Sequence, residues 1–311
     1  MDLLADFLAQ PRARDAFLLR VVMGRPWKVS VEDEAPLSIV PALKGGAWLS
    51  LEGGHPTRIH AGDVLVVRSP TSYVLSSQPG MAGGATIGSG QACSGPDGRD
   101  LSSELRTGVR AWGNDPHGQD EMLVGTYRSS SELGRLMIRS LPPWFLVHNP
   151  APELVRLLTQ ESSREDLGQS SVLDRLLDVL LVSTLRTWLD GDGQKRTSLL
   201  SAHRDDVVRT ATEAIQSRPA DEWSLEALSD VAGVSRASLT RRFNAVLGVS
   251  PRAYVTQWRL ATGADLLDRS DGTLASVARQ VGYSSPFSFS VAFKKHYGLS
   301  PREFRERQPA E

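Results

Sequence analysis

The chain has 311 residues, of which 40% are hydrophobic and 23% charged, with 35 lysines and arginines against 36 aspartates and glutamates. This composition is that of an ordinary globular protein, so fibrous, low-complexity and wholly disordered chains are excluded, and the length predicts two domains. The single cysteine, Cys93, excludes a disulfide-stapled secreted scaffold and a thiolate zinc finger. No apolar run approaches the roughly 20 residues that span a bilayer, and residues 1–20 lack the pattern of an export signal. We therefore expect a cytoplasmic protein.

Short β-runs broken by turn residues occupy residues 28–75. Their spacing predicts a β-sandwich or β-barrel. Residues 64–67 are unbroken and apolar, as expected of a strand that is covered on both faces. Residues 78–100 contain seven glycines and little apolar content, so we predict a mobile surface loop there that carries Cys93.

The period of the apolar residues changes from two toward 3.6 after residue 144, and this predicts helices at 153–161 and 171–189. The second helix carries a wide apolar stripe that must be buried. Packing against the β-domain and a two-fold dimer contact both remain open explanations. Residues 190–198 are polar and contain glycine, so we place a domain boundary there.

The last third of the chain contains an internal repeat. Leu239, Phe243 and Gly248 align with Phe289, Phe293 and Gly298 at an offset of 50, and residues 225–233 align with 274–282 at an offset of 49. Each copy is predicted to be a helix, a tight turn at a glycine and a second helix, which is a helix-turn-helix. Gly233 and Gly282 would supply the positive φ of the turn, and Ser235 and Ser285 would cap the second helices.

Basic residues are distributed unevenly over this repeat. Residues 231–264 contain five arginines and no acid, and residues 272–302 contain four basic residues and no acid. Two acid-free segments in a nearly neutral chain indicate surfaces that meet a polyanion, although solvated helix faces would explain either segment alone.

The apolar period also predicts which face of each second helix is free. Small, hydroxyl and arginine side chains can read the edges of bases in the major groove, whereas Lys294 and Lys295 are better suited to phosphates. Phe287 and Val291 are unusual on a free face, and we expect them either to touch a thymine methyl group or to pack. The candidate DNA-binding residues are Ser235, Arg236, Ala237, Ser238, Thr240, Arg241, Asn244, Ser285, Phe287, Ser288, Val291, Lys294 and Lys295.

The spacing between the two copies adds a geometric argument. Residues 251–268 read as one connecting helix, and 18 residues at a rise of about 1.5 Å give roughly 27 Å. Two reading helices separated by such a connector could enter successive major grooves, which lie about 34 Å apart on one face of DNA.

Residues 203–311 resemble the DNA-binding domain of the AraC/XylS family of bacterial transcription regulators, most specifically at residues 278–285, 291–295 and 298–301. The resemblance implies that both reading helices enter the major groove. It also implies that six outward positions face bases, namely Ala237, Thr240, Arg241, Phe287, Ser288 and Val291. It also implies double-stranded DNA and RNA polymerase as partners, and a homodimer. This chain departs from the pattern in its second reading helix, which offers no long polar side chain at positions 287, 288 and 291.

The N-terminal half resembles the cupin-type sensor domain of some of these regulators, through residues 38–40, 44–49 and 61–67. Metal-binding cupins carry histidines where Ser38 and Tyr73 stand here, and we find no carboxylate at ligand spacing from His117 or His148. We therefore expect no metal, no cofactor and no enzymatic activity. By analogy of fold, the domain would sense a small effector or a redox signal. The candidates are Trp48, Tyr73 and Cys93. The two aromatic residues, with Trp27 and Trp112, would either line an aromatic pocket or belong to the core, and Cys93 is expected as an exposed thiol.

These observations predict an α+β multidomain protein. A β-barrel, cupin-like sensor domain spans 1–150, a helical linker and dimerisation segment spans 151–198, and an all-α domain with two helix-turn-helix motifs spans 199–311. The predicted function is sequence-specific transcriptional regulation modulated by the sensor domain. A metal-dependent cupin enzyme fused to a DNA-binding module is the alternative, and a DNA-repair methyl acceptor would need several activated cysteines.

Overall fold

The computed structural model describes residues 18–108, 110–127, 131–164, 166–191, 199–269 and 272–306. The contacts within the chain divide it into two compact units. We call them the β unit, which contains the described residues of 18–127 and 141–191, and the helical unit, which contains the described residues of 131–140 and 199–306.

The β unit contains twelve strands within its described residues. They are β1 (Leu18–Met23), β2 (Lys28–Val31), β3 (Leu37–Lys44), β4 (Gly46–Ser50), β5 (Thr57–His60), β6 (Val64–Arg68), β7 (Tyr73–Ser76), β8 (Ala85–Ile87), β9 (Cys93–Ser94), β10 (Ala111–Trp112), β11 (Asp120–Tyr127) and β12 (Trp144–Val147). They form two six-stranded sheets, in the orders β10-β1-β11-β3-β6-β12 and β5-β4-β7-β2-β8-β9.

The predicted β-domain followed by a helical domain is confirmed, with the difference that the strands form two sheets and not one closed barrel. Residues of both sheets contribute to one apolar core, in which Leu49 and Leu65 are fully buried. Residues 64–67 are buried throughout, as predicted for a strand that is covered on both faces.

The prediction of a mobile surface loop at residues 78–100 was wrong. This segment adds β8 and β9 to the second sheet, and β8 pairs in parallel with β2. Gly84 makes the close approach possible, because its φ is +99° and a Cβ atom there would lie 2.4 Å from the carbonyl oxygen of Lys28. Strands of two and three residues are too short to produce a period, so the glycines dominated the sequence pattern.

The β unit also contains two helices, α2 (Pro152–Ser162) and α3 (Gln169–Asp190), and a 3-10 turn at Ser89–Gln91. Both helices occur where the sequence predicts them. The apolar stripe of α3 packs within the unit: a Cβ atom on Gly125 of β11 would lie 2.1 Å from Leu177, and Trp188 stacks on Phe145 of β12 at 4.7 Å. Val172 and Val179 lie outside this contact and are exposed.

The helical unit contains α1 (Glu132–Ser140), a 3-10 segment (Leu199–Arg204), α4 (Asp206–Ser217), α5 (Leu225–Val231), α6 (Arg236–Leu247), α7 (Pro251–Arg269), α8 (Leu274–Gln280), α9 (Pro286–Tyr297) and α10 (Pro301–Glu306). Among the described residues, no helix combines the length and the apolar composition needed to cross a bilayer.

The repeat in the sequence is a repeat in the structure. Helix α5 begins at the cap of Ser224 and α8 at the cap of Thr273, and each is followed by a tight turn and a second helix. The turn glycines have positive φ, +65° at Gly233 and +78° at Gly282, as predicted. Ser235 and Ser285 cap the second helices, and Gly248 and Gly298 end them in the left-handed conformation.

Helix α1 was not predicted from the sequence. Its N-terminus is held by Asp265 of α7, whose carboxylate accepts hydrogen bonds from the Ser131 hydroxyl at 2.7 Å, the Glu132 amide at 2.5 Å and the Leu133 amide at 3.3 Å. The amides in the first turn of a helix have no partner within the helix. Because Asp265 is buried, its carboxylate accepts these hydrogen bonds in place of water.

Candidate nucleic-acid interface

Helix α6 has one buried face and one free face. Leu239, Phe243 and Leu247 are buried in the core of the helical unit, as the period predicts. Their burial leaves Arg236, Ala237, Arg241 and Asn244 exposed on the other side, together with Ser235 at the helix start, while Ser238 and Thr240 are half-buried.

The polar groups of α6 differ in how much of their hydrogen-bonding capacity remains free. Thr240 donates its hydroxyl to the carbonyl oxygen of Arg236 at 3.0 Å, and the Ser235 hydroxyl accepts the amide of Ser238 at 3.3 Å. Arg236 and Arg241 make no ion pair with any described residue. A guanidinium group can donate two hydrogen bonds to a guanine edge, so α6 presents the donors that direct readout requires.

Helix α9 presents a different surface. Ser285 and Ser288 form a capping box, in which the Ser288 amide donates to Ser285 Oγ at 3.1 Å and the Ser285 amide donates to Ser288 Oγ at 3.3 Å. Both serines are half-buried, whereas Phe287 is 78% and Val291 54% exposed. Both side chains are therefore largely free of intramolecular packing, which was one of the two alternatives predicted for them. Lys294 and Lys295 are exposed on the last turns of the helix.

The two acid-free segments contain fewer free cations than the sequence count indicates. Arg242 donates to Asp205 at 2.7 Å, and Arg259 donates to the carbonyl oxygens of Pro219 and Asp221 at 2.8 and 2.6 Å, so both guanidinium groups serve the fold. Arg302 pairs with Glu306 at 2.8 Å. The cations that remain exposed without an ion pair to a described residue are Arg236, Arg241, Arg252, Arg279, Lys294 and Lys295.

The effector candidates of the β unit are only partly brought together. Trp27, Tyr73 and Trp112 line an apolar cavity of about 50 Å³ within the core, with Asp33 and Gln91 as polar members of the lining. Burial raises the pKa of the Tyr73 phenol, and the negative charge of Asp33 acts in the same direction.

Two polar residues of this cavity were missed at the sequence level. Gln91 donates to Asp33 at 3.0 Å, and the contact joins two segments that are far apart in the chain. No local sequence motif predicts such a pair.

Trp48 does not line this cavity, which corrects the expectation made for it. It is half-buried on β4 between the buried Ala47 and Leu49, and the guanidinium of Arg58 lies 5.5 Å from its ring centroid. The alternation of a strand with period two contained this information, because residues 47 and 49 point inward together and residue 48 points away.

The expectation of an exposed thiol at Cys93 was also wrong. Cys93 is 4% exposed on β9, and its sulfur belongs to the apolar core of the β unit. Burial raises the pKa of the thiol, and the charge of Asp100 raises it further. The thiolate that reacts with oxidants is therefore disfavoured at neutral pH.

Within the described residues, no group of three or more histidine, cysteine, aspartate and glutamate side chains is placed to hold a metal ion. Ser38 and Tyr73 are both buried. His148 has a carboxylate partner that the spacing in the sequence did not indicate. Nδ1 of His148 lies 3.1 Å from the buried Asp63, and Nδ1 of His60 lies 3.5 Å from the same carboxylate.

Comparison with known proteins gives matches over both halves of the sequence. A family model described as a cupin matches residues 2–190, and one described as a helix-turn-helix domain matches residues 228–307. An AraC-like transcription regulator of Streptomyces lividans is 29% identical over 98% of both chains. The helix-turn-helix-type transcriptional regulator MtrA of Neisseria gonorrhoeae is 28% identical, also over 98% of both chains. An uncharacterized helix-turn-helix-type regulator of Haemophilus influenzae is 35% identical over 55% of this chain and 58% of its own.

Proposed function

We propose that this chain, which belongs to the AraC-type DNA-binding transcriptional regulators with an N-terminal cupin domain, binds its operator through α6 and α9 and is controlled by an effector in the cupin domain. The named relatives are transcription regulators, which favours this function over that of a cupin enzyme fused to a DNA-binding module.

The observation that carries the proposal is the duplicated helix-turn-helix with a free face on each second helix. The same caps and turns build both copies, and in both the inner face is apolar and buried. On the outer faces, we assign contacts with bases to Arg236, Arg241 and Asn244 of α6, and contacts with phosphates to Lys294 and Lys295 of α9.

The connecting helix supports binding to successive major grooves. Helix α7 has 19 residues, which correspond to about 28 Å. We infer that α6 and α9 each occupy one groove on the same face of the duplex, since successive major grooves repeat about every 34 Å.

Control by an effector is the second part of the proposal. The cavity lined by Trp27, Tyr73 and Trp112 is the candidate site, because it combines aromatic walls with the polar pair of Asp33 and Gln91. We propose a homodimer that uses the exposed face of α3, where Val172 and Val179 lie two turns apart and outside the intramolecular packing. We propose RNA polymerase as a further partner. The domain boundaries at residues 150 and 198 stay a prediction.

The test is selection of bound sequences from random DNA with the full-length protein, followed by titration of variants at several salt concentrations. Arg241→Ala should weaken the binding free energy for the selected operator by about 1–3 kcal/mol and relax the base preference at one position. Lys295→Ala should weaken binding to all sequences alike and reduce the slope of affinity against salt by about one counterion. Arg156→Ala is the matched control, since it removes an exposed arginine from the β unit.

Equal effects of Arg241→Ala and Lys295→Ala on operator and random DNA would contradict the assignment of base and phosphate contacts. Failure of the wild-type protein to enrich any sequence would contradict the proposed function itself.

A further inference from the structure

The free face of α9 is apolar. Phe287 and Val291 are separated by four residues, so they lie side by side on the helix, and they are 78% and 54% exposed. Among the exposed large hydrophobic residues of the described chain, Phe287 is the only aromatic one. Leaving a phenyl ring in water forgoes the stabilisation that burial would give, so a partner that covers it would gain that free energy.

The polar groups beside them are already used by the helix itself. The Ser288 hydroxyl donates to the carbonyl oxygen of Ser285 at 2.9 Å and accepts the Ser285 amide in the capping box. The Ser290 hydroxyl donates to the carbonyl oxygen of Pro286 at 2.8 Å. A serine that holds a cap has little capacity left for a base edge. Helix α9 therefore differs from α6, which exposes Arg236, Arg241 and Asn244.

The surroundings of the apolar pair fit DNA as the partner. Residues 272–302 contain no acid, and the exposed Lys294 and Lys295 follow Val291 on the same helix. The major groove presents one apolar group, the 5-methyl group of thymine, between two rows of phosphates. A surface with an apolar centre and cations beside it is complementary to that arrangement.

We propose that α9 recognises thymine 5-methyl groups by apolar contact with Phe287 and Val291, whereas α6 recognises its half-site by hydrogen bonds. This inference rests on the proposed DNA-binding function and specifies how one half of the operator is read. The two halves of one binding site are then read by different chemistry, although the backbone of the two motifs is the same.

The test replaces single thymines of the selected operator by deoxyuridine, which removes the methyl group and leaves the hydrogen-bonding edge unchanged. At one or two positions in the half-site of α9, the full-length protein should lose about fourfold in affinity for each methyl group removed. That half-site is identified as the region where Phe287→Ala loses its base preference in a repeated selection.

Variants separate methyl recognition from effects of uracil on the shape of DNA. Phe287→Ala and Val291→Ala should bind the thymine operator less tightly and should lose no further affinity on substitution by uracil at these positions. Arg241→Ala should keep the full loss at them, because it changes the other helix. Leu157→Ala, which removes an exposed leucine of α2, should behave as the wild-type protein does.

The outcomes distinguish this inference from the function on which it rests. If an operator is selected and substitution by uracil changes no affinity, or if the loss persists in both Phe287→Ala and Val291→Ala, methyl recognition by α9 is overturned. If no operator is selected at all, the proposed function fails first.

Discussion

Gly282→Ala should destabilise the second helix-turn-helix more than Gly233→Ala destabilises the first, although the two glycines occupy the same position of the repeat. Both have positive φ, +78° and +65°. The space around them differs. A Cβ atom at Gly233 would meet no atom within 4 Å, whereas at Gly282 it would lie 2.7 Å from Nη2 of Arg259 and 2.8 Å from the carbonyl oxygen of Pro219.

The expected magnitudes follow from these contacts. Placing alanine in the left-handed region costs about 1–2 kcal/mol, and this cost is common to both turns. At Gly282 the methyl group must also displace Arg259, whose guanidinium donates to Pro219 and Asp221 at 2.8 and 2.6 Å. A hydrogen bond from a charged donor is worth about 1.5–3 kcal/mol, and water replaces part of it because Arg259 is half-exposed. We therefore expect about 1–2 kcal/mol for Gly233→Ala and about 2–4 kcal/mol for Gly282→Ala.

Hydrogen exchange measured by mass spectrometry on the full-length protein can resolve the two turns separately. The free energy of opening should fall for amides of α8 and α9 in Gly282→Ala, and by a smaller amount for amides of α5 and α6 in Gly233→Ala. Gly298→Ala is a further control, since that glycine has a φ of +76° and a Cβ atom there would meet no atom within 4 Å. Equal losses in the two motifs would show that the contact of Gly282 with Arg259 has no energetic consequence.

Two carboxylates give the remaining predictions. Asp265→Asn should lower the opening free energy of α1 by about 1–3 kcal/mol, because the asparagine side chain cannot accept all three of the hydrogen bonds that the carboxylate accepts. Hydrogen exchange of the backbone amides at 132–140 measures this loss. Asp268→Asn, on the exposed side of α7, is the matched control. For Asp120, burial acts to raise the pKa, but hydrogen bonds from Arg25, Trp27 and Gly46 outweigh it and lower the pKa below the ordinary value. A lowered pKa contributes stability above about pH 4 that is lost as the pH falls through the folded-state pKa. The melting temperature of Asp120→Asn should therefore fall less steeply at acid pH than that of the wild-type protein. An unchanged dependence on pH would contradict this assignment.

The helical unit could be predicted from the sequence because its signals are local. Each copy of the repeat contains its own caps, its own turn glycine and an apolar period long enough to identify the buried face. Leu239 and Phe243, and their counterparts Phe289 and Phe293, are therefore all buried as expected.

The features that were missed depend on partners far away in the chain. The amide at the start of helix α1 donates to Asp265, and no residue near position 131 in the sequence indicates that cap. Strand β9 exists because Cys93 pairs with Ile87 of β8, which itself pairs with β2, and this places in the core a thiol that the surrounding glycines had suggested was exposed. His148 was assigned no partner for the same reason, since Asp63 reaches it only through the fold.

The repeat also explains why the two reading helices can differ without a change in backbone. A second helix needs an N-cap, and both copies use a serine for it, Ser235 in α6 and Ser285 in α9. In α9 the cap is reciprocal, because the Ser288 hydroxyl accepts a hydrogen bond from the Ser285 amide while the Ser288 amide donates to Ser285. The Ser288 side chain therefore stabilises the helix end, although its position faces outward. Recognition by α9 is then left to side chains that the cap does not use, Phe287 and Val291. Apolar contacts of this kind release no counterions, so the salt dependence of binding should come from the cations and the base preference of this half-site from the apolar pair.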